Sequence, residues 1–219
     1  MSTVASRRKI AETSGSPVEI TKPEIYLHEV AAALKRLPFA TIDQVTDVLW
    51  NAYQDCRAVF LFGNGGSAAL ASHCACDLGK GTVINGNRRF RVLALTDNVP
   101  LMTAWANDAR YEDIFAEQLR SFLRPDDVVF AISGSGNSPN VLKALQAARE
   151  MEAFTIGLTG FEGGKMKPLC NLCVVVPSEN MQVIEDSHLA VTHSIFTAFR
   201  ERLHEFTGQA DSPILRRPR

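Results

Sequence analysis

Four side chains in two short stretches could hold a cation between them. His73 and Asp77 stand four apart in SHCACDLGKG, which places both on one face of a helix. Glu185 and His193 stand eight apart in VIEDSHLAVTH, a little over two helical turns, so they also share a side. Imidazole nitrogens with carboxylate oxygens suit Zn2+ or another divalent ion. Each pair taken alone is more often a surface pair or a satisfied core pair. His188 precedes His193 by five residues, about 140° round the helix, and should face elsewhere.

A second chemistry is written in two loops. GNGGSAA, from Gly63, follows an apolar run and opens a helical pattern. SGSGNS, Ser133 to Ser138, does the same, with Pro139 where a first helical turn tolerates it. Glycines let backbone N–H groups approach an anion, and a helix N-terminus adds a favourable dipole. Together the loops would surround one phosphate with amides and hydroxyls, chiefly Ser67, Ser133, Ser135 and Ser138. A dinucleotide site competes with this reading, because Gly63, Gly65 and Ala68 fit the loose glycine fingerprint. That fingerprint wants an acidic residue about 20 positions on. Here the next strand ends near Asp97, too late, after an intervening GKGT segment.

The elements that would position these groups follow from the periodicities. Apolar spacing predicts helices over 25–37 and 42–56, with no strand before them. Strands are predicted over 58–62, 92–95, 128–132, 155–158 and 174–176. Between them helices are predicted over 67–78, 99–107, 111–122 and 139–151, with one long helix over 179–206. Such alternation predicts an α/β three-layer sandwich with a central five-stranded parallel sheet flanked by helices. Ligands then bind at the carboxyl ends of the strands. Residues 1–20 read as a flexible arm, 21–207 as one domain, and 208–219 as a flexible tail.

Composition sets outer limits. The chain has 219 residues, 46% of them hydrophobic, with a formal net charge of -1. That balance gives no reason to expect nucleic acid or an acidic membrane as a partner. No apolar run reaches the ~18 residues a membrane helix needs, and the N-terminus lacks the apolar stretch of a secretory signal. Five unevenly spaced cysteines are no disulfide framework, so a cytoplasmic location is expected. Cys170 and Cys173 form a C-x-x-C that follows Pro168 and runs into Val174–Val176; without a second pair it reads as the start of a strand.

GNGGSAALASH, SGSGNSPNVLKAL, GLTGFEGGKMKPL and VPSENMQVIEDSHLAVTH resemble, in order, the motifs of the SIS (sugar isomerase) domain family, and most closely its phosphoheptose isomerase group. The resemblance runs from about Ile25 to Phe206. It implies aldose–ketose isomerisation of a phosphorylated sugar, most naturally sedoheptulose 7-phosphate to D-glycero-D-manno-heptose 7-phosphate. It implies a homotetramer with active sites between subunits. It also implies a zinc site on His73, Asp77, Glu185 and His193, with Asp77 and His193 as the proton carriers. Asp77 stands where the group has Glu, and Glu185 where it has Gln, which puts the metal's identity in question; Gln182 lies too far to substitute. Asn64, Gly65, Gly66, Ser67, Asn98, Ser133, Ser135, Ser138 and Glu185 are the implied substrate contacts. Gly134 stands where relatives often carry Thr. The same fold serves non-catalytic modules that bind a sugar phosphate or a protein, and the changes at Asp77 and Glu185 keep that alternative open.

Overall fold

Runs such as Val59-Phe60-Leu61-Phe62 carry large apolar groups on both faces, and only a sheet covered on both sides buries them. The computed structural model, which describes residues 22–84 and 86–208, contains that sheet. The arm over 1–20 and the tail beyond 208 lie outside the described residues. Five parallel strands, β1 (Val59–Phe62), β2 (Val92–Ala94), β3 (Val128–Ser133), β4 (Phe154–Thr159) and β5 (Leu172–Val175), lie in the order β2-β1-β3-β4-β5.

Alternate strand residues point to opposite faces, and the two cores follow this rule. Val59, Leu61, Phe130, Ile132, Ile156 and Leu158 pack under α2 (Phe39–Gln54), α3 (Gly66–Cys76) and α7 (Met181–Thr207). Phe60, Phe62, Val129 and Ala131 pack under α5 (Ala116–Phe122) and α6 (Pro139–Glu150). The two early helices differ in what they cover. α2 buries Val45, Leu49 and Trp50 over the sheet. α1 (Pro23–Lys35) buries only Ala33 and lies along α7, held by a Tyr26–Asp186 hydrogen bond.

Most elements stand within two or three residues of the sequence expectation, and two depart from it. The helix expected over 67–78 is α-helical only to Cys76. It then widens into a π-helical turn, Asp77–Gly81. Gly81 there faces the Phe196 ring of α7, 2.5 Å from where a Cβ would sit, so the turn follows what α7 allows. The helix expected over 111–122 is broken into a 3-10 turn, Tyr111–Asp113, and α5. Asp113 is buried and ion-paired to Lys143 of α6 and to Arg110. That tie, with Ile114 and Phe115 both fully buried, sets a path that a continuous helix would not take.

Candidate active site

Chain chemistry brings both loops to the carboxyl edge of the sheet. β1 and β3 are neighbours in register, so the turns that leave them are neighbours too. Gly63 permits the contact, because a Cβ there would lie 2.6 Å from the Ile132 carbonyl. Gly65 adopts φ +54°, where a side chain is strained, and α3 begins at the next residue. Asn64 then joins the two loops. Its amide and that of Asn140, on the first turn of α6, exchange hydrogen bonds of 2.9 and 2.8 Å. Tyr111 adds a 3.2 Å hydrogen bond to Asn64 Oδ1. Asn140 and Tyr111 were not among the sequence candidates. The polar Asn inside SPNVLKAL was the available signal, but nothing local says that it bonds 76 residues away.

The serine loop leads into the N-terminus of α6. Ser133 Oγ and Ser138 Oγ are 3.4 Å apart. Ser135 Oγ accepts a 3.3 Å bond from the Asn137 N–H. A third loop, after β4, backs this one. Gly160 N–H and Met166 N–H donate to Gly134 and Gly136 carbonyls, each at 2.9 Å. Met181, the first residue of α7, places its sulfur 2.5 Å from where a Cβ on Gly134 would be. A threonine side chain at Gly134 would need that space.

The histidines converge from α3 and α7. His73 Nε2 and His193 Nε2 are 3.1 Å apart, and Asp77 Oδ2 lies 3.4 Å from the first and 3.6 Å from the second. One donor atom from each of the three falls within 4.8 Å of the others. Two imidazoles and a carboxylate converging on one point, accessible to solvent on one side, are a donor set that fits a divalent ion of the zinc class with coordination positions to spare. The π-helical turn begins at Asp77 itself, and such turns recur at functional sites.

Glu185 does not join that group. Its carboxylate turns to the N-terminus of α3, with Oε1 3.2 Å from the Cβ position of Gly66. A negative charge is favoured there by the helix dipole. Gly66, Ser67, His73, Glu185 and Leu189 line one cavity of about 240 Å3 between α3 and α7. His188 also lines it, turned away from His193 and outside the donor group as the helix spacing implies. Its side chain is fully buried, and neither ring nitrogen makes a well-formed hydrogen bond. Burial pushes its pKa down from 6.5 to about 4, the nearby Thr159 carbonyl offsetting part of the effect. The ring is neutral at physiological pH. Asn98 sits on the same edge, where its Oδ1 caps α4 (Val99–Asp108) by accepting from Leu101 N–H at 3.1 Å. Gln182 is exposed on the first turn of α7.

Known proteins resemble this chain in sequence and in fold. The family model described as SIS domain matches residues 25–160. A phosphoheptose isomerase of Rhodospirillum rubrum is 47% identical over 135 residues, covering 62% of this chain and 71% of that protein. One from Aquifex aeolicus is 36% identical over 177 residues, covering 81% and 92%. The solved structure of phosphoheptose isomerase GmhA from Neisseria gonorrhoeae superposes with a TM-score of 0.76 at 27% identity, covering 81% of this chain and 96% of that one.

Proposed function

Since this chain belongs to the SIS domain family and matches phosphoheptose isomerases along most of its length, we propose that it isomerises sedoheptulose 7-phosphate to the aldose D-glycero-D-manno-heptose 7-phosphate. The observation that carries the reading is the approach of His73, Asp77 and His193 beside two loops fit to hold a phosphorylated sugar.

The phosphate goes to the serine loop. Ser133, Ser135 and Ser138 supply hydroxyls, and the α6 N-terminus supplies a favourable field. The equivalent place on α3 already carries the Glu185 carboxylate, which would repel a second anion. Ser67, Gly65 and Gly66 then meet the sugar end, and Glu185 accepts from its hydroxyls. Asn64 acts chiefly by holding the two loops together, and Asn98 borders the same edge.

The donors His73, Asp77 and His193 would hold a divalent metal, for which zinc is the natural choice. Such an ion, when bound, polarises the carbonyl and hydroxyl oxygens of the sugar. Asp77 and His193 are the proton carriers. One removes the proton on the carbon next to the carbonyl, an enediol forms, and a proton is returned to the neighbouring carbon. Glu185 lies outside the donor group, so three protein ligands do the holding and the change from Gln at that position bears on the sugar instead. Four copies would form the working assembly. Five free cysteines fit a reducing, cytoplasmic compartment.

The test is direct conversion of sedoheptulose 7-phosphate, with and without chelator. Turnover that is lost with chelator, restored by zinc and abolished in His193→Ala supports the proposal. Sugar-phosphate binding without turnover at any metal loading would identify a binding module instead.

A further inference from the structure

Cys170 and Cys173 flank the end of the 3-10 turn Gly164–Leu169 and the start of β5. They lie outside the site described above. Gly157 of β4 pairs in register with Cys173. A Cβ on Gly157 would lie 2.7 Å from Cys170 Sγ and 3.1 Å from Cys173 Sγ. Both sulfurs therefore occupy the space that a missing side chain leaves in the middle of the sheet. A glycine inside a strand weakens it and marks a close approach; here the approach is that of two thiols. β5 is an edge strand of the sheet among the described residues, and both cysteines are half-buried rather than enclosed.

We propose that Cys170 and Cys173 form a dithiol that closes reversibly to a disulfide by exchange with a small-molecule disulfide such as oxidised glutathione, the two sulfurs meeting in the space over Gly157. The Cys173 thiol is the attacking group. The nearby Cys170 thiol and the Lys167 charge hold it below the ordinary thiol range, while the neighbouring Cys173 and burial hold Cys170, whose thiol donates to the Met166 carbonyl at 3.4 Å, above it. The Cys173 thiolate attacks one sulfur of the small disulfide, forms a mixed disulfide and expels one thiolate. Cys170 then loses its proton and attacks Cys173 Sγ, expelling the second thiolate. Two protein thiols are oxidised and one external disulfide is reduced to two thiols. Closure needs the sulfurs at about 2.05 Å, in the space over Gly157 that both already border. The closed bond would tie the turn that backs the serine loop, through Met166 N–H on Gly136, to the edge strand.

Full-length protein carrying Cys56→Ser and Cys76→Ser removes the two exposed thiols. After incubation with oxidised glutathione it is denatured without reductant and its thiols are titrated. Of Cys74, Cys170 and Cys173, only Cys74 should still react; it is buried, with its pKa pushed up to about 12. Mass spectrometry should find the peptide containing 170–173 lighter by two hydrogens and free of glutathione. Dithiothreitol should restore both thiols. In the same background Cys170→Ser should instead retain a glutathionyl group on Cys173, because no thiol remains to resolve it. Survival of both thiols, or a stable glutathione adduct while Cys170 is present, overturns the proposal.

Discussion

Ser135 and His188 carry separate consequences at the level of single side chains. Ser135 is half-buried in the loop before α6, and its hydroxyl accepts only one weak bond, at 3.3 Å. A hydroxyl that bonds a phosphate contributes about 1–3 kcal/mol. Ser135→Ala should thus weaken sugar-phosphate binding by roughly 5- to 150-fold while leaving the melting temperature close to wild type. Calorimetric titration measures the first and a thermal melt the second; unchanged affinity would remove Ser135 from the cradle. His188 makes stability depend on acid. Its folded pKa of about 4 is depressed below the unfolded 6.5, so its contribution is fully present above pH 6.5. It is lost as pH falls toward 4, because only the unfolded chain takes up the proton. The gap corresponds to about 3 kcal/mol. Denaturant unfolding of wild type at pH 7 and 4.5 should show this loss, and His188→Leu should lose less over the same interval. Parallel losses in the two proteins would refute the assignment.

The π-helical turn Asp77–Gly81 is the element on which the donor group depends. It starts at Asp77, and its last residue meets Phe196 of α7 at a distance no side chain fits. Phe196 lies one turn beyond His193 on the same helix. Gly81→Ala must push the Phe196 ring aside and disturb the packing of α7 against the turn. Overpacking of this kind costs about 1–3 kcal/mol. A displacement there also widens the 3.1 Å approach of His193 to His73. The variant should therefore bind zinc more weakly than wild type, with a loss larger than that of a surface control such as Lys80→Ala. Competitive zinc titration against a chromophoric chelator gives the comparison; equal affinities would show that the turn does not set the site.

Exposed apolar groups bear on the state of the molecule as a whole. Ile25 and Leu27 on α1, Phe39 at the start of α2 and Leu189 on α7 are large apolar groups exposed in the single chain. Leu189 also lines the cavity that holds Glu185 and His73. Exposed apolar groups, one of them at the mouth of a binding cavity, are what a subunit contact would cover. Sedimentation should give four times the chain mass of 24.0 kDa, and Leu27→Asp should shift the population toward smaller species. A wild-type protein that sediments only as a monomer would refute the tetramer.

Much of this was settled by local sequence. Alternating apolar runs and glycine–serine turns determined the α/β class, the two loops and the helix that carries His73, because those features arise from periodicity and turn chemistry within a few residues. Both histidines were legible for the same reason: their type and spacing are local facts. Contacts across the chain were not. Spacing on α7 grouped Glu185 with His193, but packing against α3 turned Glu185 to the Gly66 end. The angle of His188 from His193 was right for an isolated helix. It said nothing of what fills that side, which is the cavity that Glu185 and His73 also line. The reciprocal Asn64–Asn140 bonds, the π-helical turn fitted to Phe196 and the Met181 sulfur over Gly134 all join residues more than 40 apart. Only the tertiary structure decided them, because each depends on which side chains the sheet order brings together, and no local pattern in the chain encodes that order.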